Sequence, residues 1–402
     1  MDPALNPYSP GSGRRPPELV GRTGELEAFD TLRARSANGL GDRGIVLTGL
    51  RGVGKTVLLN EMHGLADRVG WLTARIEARR DSTGARSVRS ALARELVVAA
   101  RKFARTSLTE RMRAALGSIS SFNAKIGATG ISLGVERATG RADSGDVEID
   151  LLELVEDVSH ALVEKKRAFG LFIDEMQDLD TETMGALITA QHTANQRGWP
   201  FYVIGAGLPS LPRTLTDTRS YAERLFNYRR IGELNDNDAA AALREPAERL
   251  GARFEPAALD LLLRIAGGYP YFIQEYGQAV WALASGKTIQ YADAQAAVQY
   301  GTEQLDIAFF RSRWERATPA ERRMLAAMAH DGAGPSSTST VADRMGLKVT
   351  SLGPYRAGLI TKGLAYAPEH GRIAFTVPGM ADFVDRHRDD LEPPDTSEEG
   401  PE

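Results

Sequence analysis

Short apolar runs bounded by glycine or charge recur through the first 230 or so residues, and between them apolar positions fall three and four apart. GIVLTG (44–49), GWLTARIEA (70–78), AFGLFIDEMQDLD (168–180), PFYVIGAG (200–207) and FNYRRIGEL (226–234) each predict a strand. The intervening stretches predict helices, among them 57–70 with Val57, Leu58, Met62 and Leu65 on one face, and a helix capped by Thr23 that carries Leu26, Phe29 and Leu32. Strands alternating with helices predict an α/β domain over 18–233, a parallel sheet with helices on both faces. One stretch changes period. Phe122, Ala124 and Ile126, then Ile131, Leu133 and Val135, alternate with polar or small residues around Thr129-Gly130. This predicts a β-hairpin inserted near 121–136.

From Leu234 the strands stop. Four helical patterns fill 234–317 and predict a helical lid subdomain. Thr318 then caps a new helix, and 318–388 reads as three helices followed by a β-wing, the layout of a winged helix-turn-helix. The flanks differ in composition. Residues 1–17 are rich in Pro, Gly and Ser, and 389–402 are acidic with several prolines, so both are expected to be disordered.

One motif gives the strand pattern a chemistry. GLRGVGKT (49–56) follows the first strand and opens a helix, the context a phosphate-binding P-loop requires. Gly52 and Gly54 let the backbone turn its N–H groups inward, and the helix N-terminus adds its positive dipole end. Gly49, Leu50, Arg51, Gly52, Val53, Gly54, Lys55, Thr56 and Val57 are the expected phosphate-binding stretch. Lys55 can reach the β- and γ-phosphates and Thr56 can ligate Mg²⁺. A second strand ends in Asp174-Glu175, which suits the other half of such a site. Asp174 would hold Mg²⁺, and Glu175 would orient the attacking water. The expected cofactors are therefore ATP and Mg²⁺.

Composition narrows the setting. The chain has 402 residues and no cysteine, which excludes disulfides and thiolate metal sites and fits a reducing, cytoplasmic compartment. The six histidines are scattered without metal spacing. No apolar run is long enough to span a membrane, and the first residues carry no secretory pattern. A net charge of -4 argues against wholesale coating of nucleic acid but permits one basic face.

With these residues in view, the chain resembles AAA+ ATPases of the origin-recognition type and the related archaeal and bacterial STAND-like switch ATPases. VGRTGEL resembles the segment lining the adenine pocket, which implies nucleotide contacts from Val20, Gly21 and Arg22. GGYPYFIQEY resembles the Gly-x-Pro motif at the base of the lid, here Gly268, Tyr269 and Pro270, with Tyr269 and Pro270 near the nucleotide. YAERLF resembles the segment bearing an arginine finger, which implies Arg224 acting in trans within a homo-oligomer. The lid helix YPYFIQEY lacks the sensor arginine usual in origin-recognition ATPases, which favours the STAND-like branch and slow hydrolysis. No polar sensor is evident where the fourth strand ends.

Two outputs stay open. As a DNA binder, the C-terminal domain would offer Lys348, Thr350, Ser351, Tyr355 and Arg356 to the major groove and Lys362 and Arg372 to phosphates. As a protein-contact module, it would serve a partner instead, and its weakly basic third helix suits that too. The leading expectation is an ATP/ADP switch with slow Mg²⁺-dependent hydrolysis, coupled to DNA or partner binding. The competing one is a non-hydrolysing, ATP-bound scaffold.

Overall fold

A computed structural model describes residues 1–11, 13–79, 84–104, 109–126 and 140–388. The chain forms two compact units: an α/β unit of Gly21–Gly49 and Gly54–Ile231, and a helical unit of Met1–Val20, Leu50–Val53 and Gly232–Glu402.

The α/β unit is built on five strands: β1 (Gly44–Thr48), β2 (Leu72–Glu77), β3 (Phe169–Asp174), β4 (Phe201–Gly207) and β5 (Phe226–Arg230). Their order is β2-β3-β4-β1-β5, and every neighbouring pair is parallel. Every residue of β1, β3 and β4 is buried. That is why these strands read as unbroken apolar runs: helices cover both faces of the sheet. Those helices are α1 (Thr23–Ala37), α2 (Lys55–Arg68), α3 (Gly84–Ala104), α4 (Glu110–Ile126), α5 (Val147–Val163), α6 (Thr181–Arg197) and α7 (Leu211–Thr218). α1 starts one residue earlier than its expected cap implied. Arg22 holds the cap position without a side-chain bond, and Thr23 is the first helical residue.

The expected hairpin is corrected. Its first arm is the last turn and a half of α4, which runs unbroken to Ile126. Met112, Ala115, Leu116, Ile119 and Phe122 are buried at spacings of three, one, three and three, a helical stripe that continues through Phe122. Its second arm, with Ile131, Leu133 and Val135, lies outside the described residues.

The helical unit contains α8 (Asp236–Arg249), α9 (Pro256–Ala266), α10 (Pro270–Leu283) and α11 (Tyr291–Gln304), with a two-stranded parallel pairing of β6 (Arg253–Phe254) and β7 (Thr288–Ile289). α11 runs on through a π-helical turn, Leu305–Arg311, into α12 (Ser312–Trp314). Then follow α13 (Pro319–Ala329), β8 (Ser336–Ser337), α14 (Thr338–Arg344), α15 (Gly353–Thr361), β9 (Ala365–Tyr366), β10 (Arg372–Phe375) and α16 (Met380–Arg386). Thr318 caps α13 as expected, in a reciprocal capping box with Glu321. β8, β10 and β9 form an antiparallel sheet.

The helical unit has one continuous core from Tyr8 to Val384, so residue 317 is not a break between compact units. Phe310 stacks on Phe383 at 5.4 Å, and Asp306 accepts from Arg386 Nη2 at 2.6 Å.

The leading segment corrects a second expectation. Residues 1–9 lie ordered along α10. Tyr8 is buried, its hydroxyl donates to the Leu243 carbonyl, and its ring occupies the space a side chain at Gly277 would need. Trp281 Nε1 donates to the Asp2 carbonyl at 2.9 Å, and Asn6 Nδ2 to that of Gln278 at 3.0 Å. The acidic tail at 389–402 lies outside the described residues.

Candidate nucleotide site

The site begins where β1 ends. The Gly49 N–H donates to the Gly207 carbonyl at 3.1 Å, tying the loop's first residue to the end of β4. Gly54 sits at φ 93°, a left-handed conformation that glycine adopts freely, and α2 starts at the next residue. Lys55 and Thr56 thus occupy the first turn of α2, where the free N–H groups and the dipole favour an anion. Lys55 is buried, and its Nζ donates to the Gly49 carbonyl at 3.0 Å.

Asp174 ends β3 and is 6% exposed. Burial pushes its carboxyl above the ordinary range. A hydrogen bond from the Thr56 hydroxyl opposes that, the Glu175 charge adds to it, and the Glu175 N–H at 3.0 Å and the Lys55 charge oppose it. The P-loop hydroxyl and the strand-end acid therefore form one oxygen-donor pair. Hard oxygen donors beside a buried carboxylate fit Mg²⁺, which keeps several of its waters and needs only one or two protein ligands. Glu175 follows at φ 49°, ψ 39°, a left-handed conformation unusual for a side-chain-bearing residue and costing about 1–3 kcal/mol. Its carboxylate accepts from Gln177 Nε2 at 2.6 Å. Gln177, which the sequence reading passed over, is buried, and its Oε1 accepts the Leu208 N–H at 3.0 Å. Local spacing does not mark it, because its second partner lies beyond β4.

The other expected nucleotide residues divide between the units. In the α/β unit, Gly21 is left-handed at φ 68°, and Arg22 is buried with Nη1 donating to the Gly21 carbonyl at 3.2 Å. Val57 is half-buried on α2. In the helical unit lie Val20, Leu50, Arg51, Gly52 and Val53. There the Arg51 N–H donates to the Thr376 carbonyl at 2.9 Å, and the Gly52 carbonyl accepts the Tyr271 N–H at 3.2 Å. Tyr269 caps α10 and Pro270 is its first residue, where a missing N–H costs nothing. Gly268, at φ 73°, has no room for a side chain: a Cβ would lie 2.5 Å from the Leu234 carbonyl.

Arg224 ends a 3-10 turn, Ser220–Arg224, with its side chain 82% exposed and 3.4 Å from Glu223. The expected DNA contacts do not share one helix. Lys348, Thr350 and Ser351 are exposed on a 3-10 turn, Val349–Leu352, and its cap, while Tyr355 and Arg356 lie on α15. Lys362 is engaged elsewhere. Its ammonium pairs with Glu321, whose carboxyl is held below the ordinary range by that bond and the Thr318 N–H, against the effect of burial. Arg372 donates to the Pro335 carbonyl at 3.2 Å and lies 3.5 Å from Glu369.

Among the described residues no helix is long and apolar enough to cross a membrane.

Residues 18–204 match the family model of the AAA ATPase domain, and residues 307–384 match a domain of unknown function, DUF8462. No curated protein matches the chain. Among solved structures, the Walker-type ATPase PABY2304 of Pyrococcus abyssi is similar over 95% of this chain and 99% of its own, at 16% identity and a TM-score of 0.60. ORC1 of Aeropyrum pernix, solved in complex with DNA, is similar over 94% of each chain at 15% identity, with a TM-score of 0.45. The RuvB Holliday junction branch migration motor of Thermotoga maritima is similar over 90% of this chain and 95% of its own at 16% identity, with a TM-score of 0.44. The first of these supports the fold; the other two are too distant to carry an argument.

Proposed function

We propose that this chain, whose residues 18–204 match the AAA ATPase domain family, works as a cytoplasmic switch that binds ATP with Mg²⁺ and hydrolyses it slowly. One observation carries the reading: the Thr56 hydroxyl of the P-loop and the Asp174 carboxylate of β3 are hydrogen-bonded to one another. A phosphate-binding helix start and a metal-holding acid are therefore one site, with Glu175 next in the chain to polarise a water. Bound Mg²⁺ would supply charge neutralisation between the β- and γ-phosphates. The residues of the chain do the remainder. Lys55 would hold phosphate oxygens, Thr56 and Asp174 would hold the metal shell, and Glu175 would take the proton of the attacking water.

Arg224 completes the reading as a finger offered to a neighbouring copy, which its exposure permits, its local pairing with Glu223 being itself exposed to solvent. The STAND-like resemblance, with no arginine in YPYFIQEY, favours a slow cycle whose two nucleotide states differ in what the C-terminal region binds. We read 318–388 as a winged helix, because three helices precede and flank a three-stranded antiparallel sheet. Its ligand is duplex DNA or a partner protein.

Phosphate release from wild type and Glu175→Gln tests the enzyme. The expected outcome is at least a tenfold loss in the variant with nucleotide binding retained. Wild-type turnover per chain should also rise with protein concentration, and Arg224→Ala should abolish that rise. If wild type releases no more phosphate than Glu175→Gln, the chain is a non-hydrolysing scaffold.

A further inference from the structure

The base assigned to Glu175 is not free to choose its orientation. Its carboxylate accepts Gln177 Nε2–H at 2.6 Å, and Gln177 Oε1 accepts the Leu208 N–H just past β4 at 3.0 Å. Amide oxygen and nitrogen are hard to tell apart in isolation, but here the backbone decides. Only the oxygen can accept from Leu208, so the NH₂ group must face Glu175. The side chain is also closely enclosed. A Cβ at Gly207 would lie 2.4 Å from Gln177 Oε1, so the approach depends on glycine at that position. The carbonyl of that same Gly207 accepts the Gly49 N–H at 3.1 Å. The Gln177 amide connects the carboxylate to the end of β4, and the Gly207 carbonyl connects the end of β4 to the start of the P-loop.

We infer that Gln177 is a positioning residue for Glu175, doing at the end of β4 the work for which the sequence offered no polar sensor. This rests on the ATPase reading of the site. A general base is effective when a third group fixes its direction. Gln177 fixes it by bonding one carboxylate oxygen at 2.6 Å.

The experiment compares wild type, Gln177→Met and Gln177→Glu. Methionine keeps length and bulk but removes both hydrogen bonds. Its kcat should fall about tenfold or more, with the Kd for a fluorescent ATP analogue within about twofold of wild type. Glutamate keeps the acceptor for Leu208 but sets a second carboxylate against the first. Like charges raise the pKa of the pair, so the acid limb of its kcat–pH profile should move up by about one pH unit. A readout without nucleotide accompanies these. Gln177→Glu should melt well below wild type at pH 7.5 and approach it at pH 5. Its raised native pKa means that stability is lost as pH rises through that value.

If Gln177→Met keeps kcat within twofold, or the acid limb of Gln177→Glu does not move, Gln177 only fills space and the inference is overturned. If wild type does not exceed Glu175→Gln in phosphate release, the ATPase reading fails instead. In that case the nucleotide-free melting curves still report whether residues 175 and 177 act as a pair.

Discussion

At the scale of single residues, the site shows what sequence spacing can and cannot deliver. Lys55, Thr56, Asp174 and Glu175 were legible because each sits at a fixed offset from a strand end, and strand ends are visible as breaks in apolar runs. Gln177 was not, because its meaning depends on Leu208, thirty-one residues onward, brought beside it only by the pairing of β3 with β4. The burial of Asp174 yields a prediction of its own. Its carboxyl is raised, so the native state holds the proton more tightly than the unfolded chain does. The stability it contributes is fully present below the ordinary carboxylate pKa and is lost as pH rises through the native value. Above that native value the buried charge is therefore a cost. Asp174→Asn should melt about 2 °C above wild type at pH 7 without nucleotide. The difference should close toward pH 4, and Mg²⁺-ATP should stabilise wild type but not the variant. Equal melting at pH 7 would mean that the Thr56 bond already offsets the burial.

At the scale of elements, the buried strands were the most legible because tertiary structure asks nothing of them beyond being apolar throughout. The hairpin was misread because alternation at Phe122, Ala124 and Ile126 also fits the final turns of a helix, and only the stripe from Met112 onward separates the two. The leading segment was misread for a different reason. Its Pro, Gly and Ser content describes a chain without regular structure, which is correct for most of it, but a chain without regular structure can still be held by distant partners. Here those partners are on α8 and α10. Burial raises the Tyr8 hydroxyl pKa, with the Glu248 charge adding to it, so that hydroxyl stays a proton donor at every physiological pH. Truncation to Tyr8→Ala should destabilise the helical unit by about 3 kcal/mol, the usual cost of emptying an aromatic site. Gly277→Ala should act on the same contact from the other side, because its Cβ would lie 2.5 Å from Tyr8 Cδ1. In denaturant titrations the double variant should then cost clearly less than the sum of the two. Full additivity would show that the segment does not rest on α10.

At the scale of the whole molecule, the open matter is what the C-terminal region recognises, and the structure changes how that must be tested. Removing 318–402 would take Phe375, Phe383 and Val384 out of a core they share with Ile273 and Trp281. It would also strip Asp306 of Arg386 and His387, at 2.6 and 2.8 Å. A truncated chain would lose binding because the helical unit is damaged, whatever its ligand. A surface substitution avoids this. Lys348 is exposed on the cap of a 3-10 turn, whereas Lys362 is consumed by Glu321 and Arg372 by Glu369 and a carbonyl. If DNA is the ligand, Lys348 is an exposed candidate for a phosphate contact, with Arg356 following on α15. Duplex affinity of wild type should then fall steeply with salt. Lys348→Glu should weaken binding across sequences and reduce the salt slope by about one. Wild-type binding that is absent or insensitive to salt would remove DNA from the reading. The exposed turn at 348–351 would then be a surface for a partner protein, and the switch would report nucleotide state through that contact.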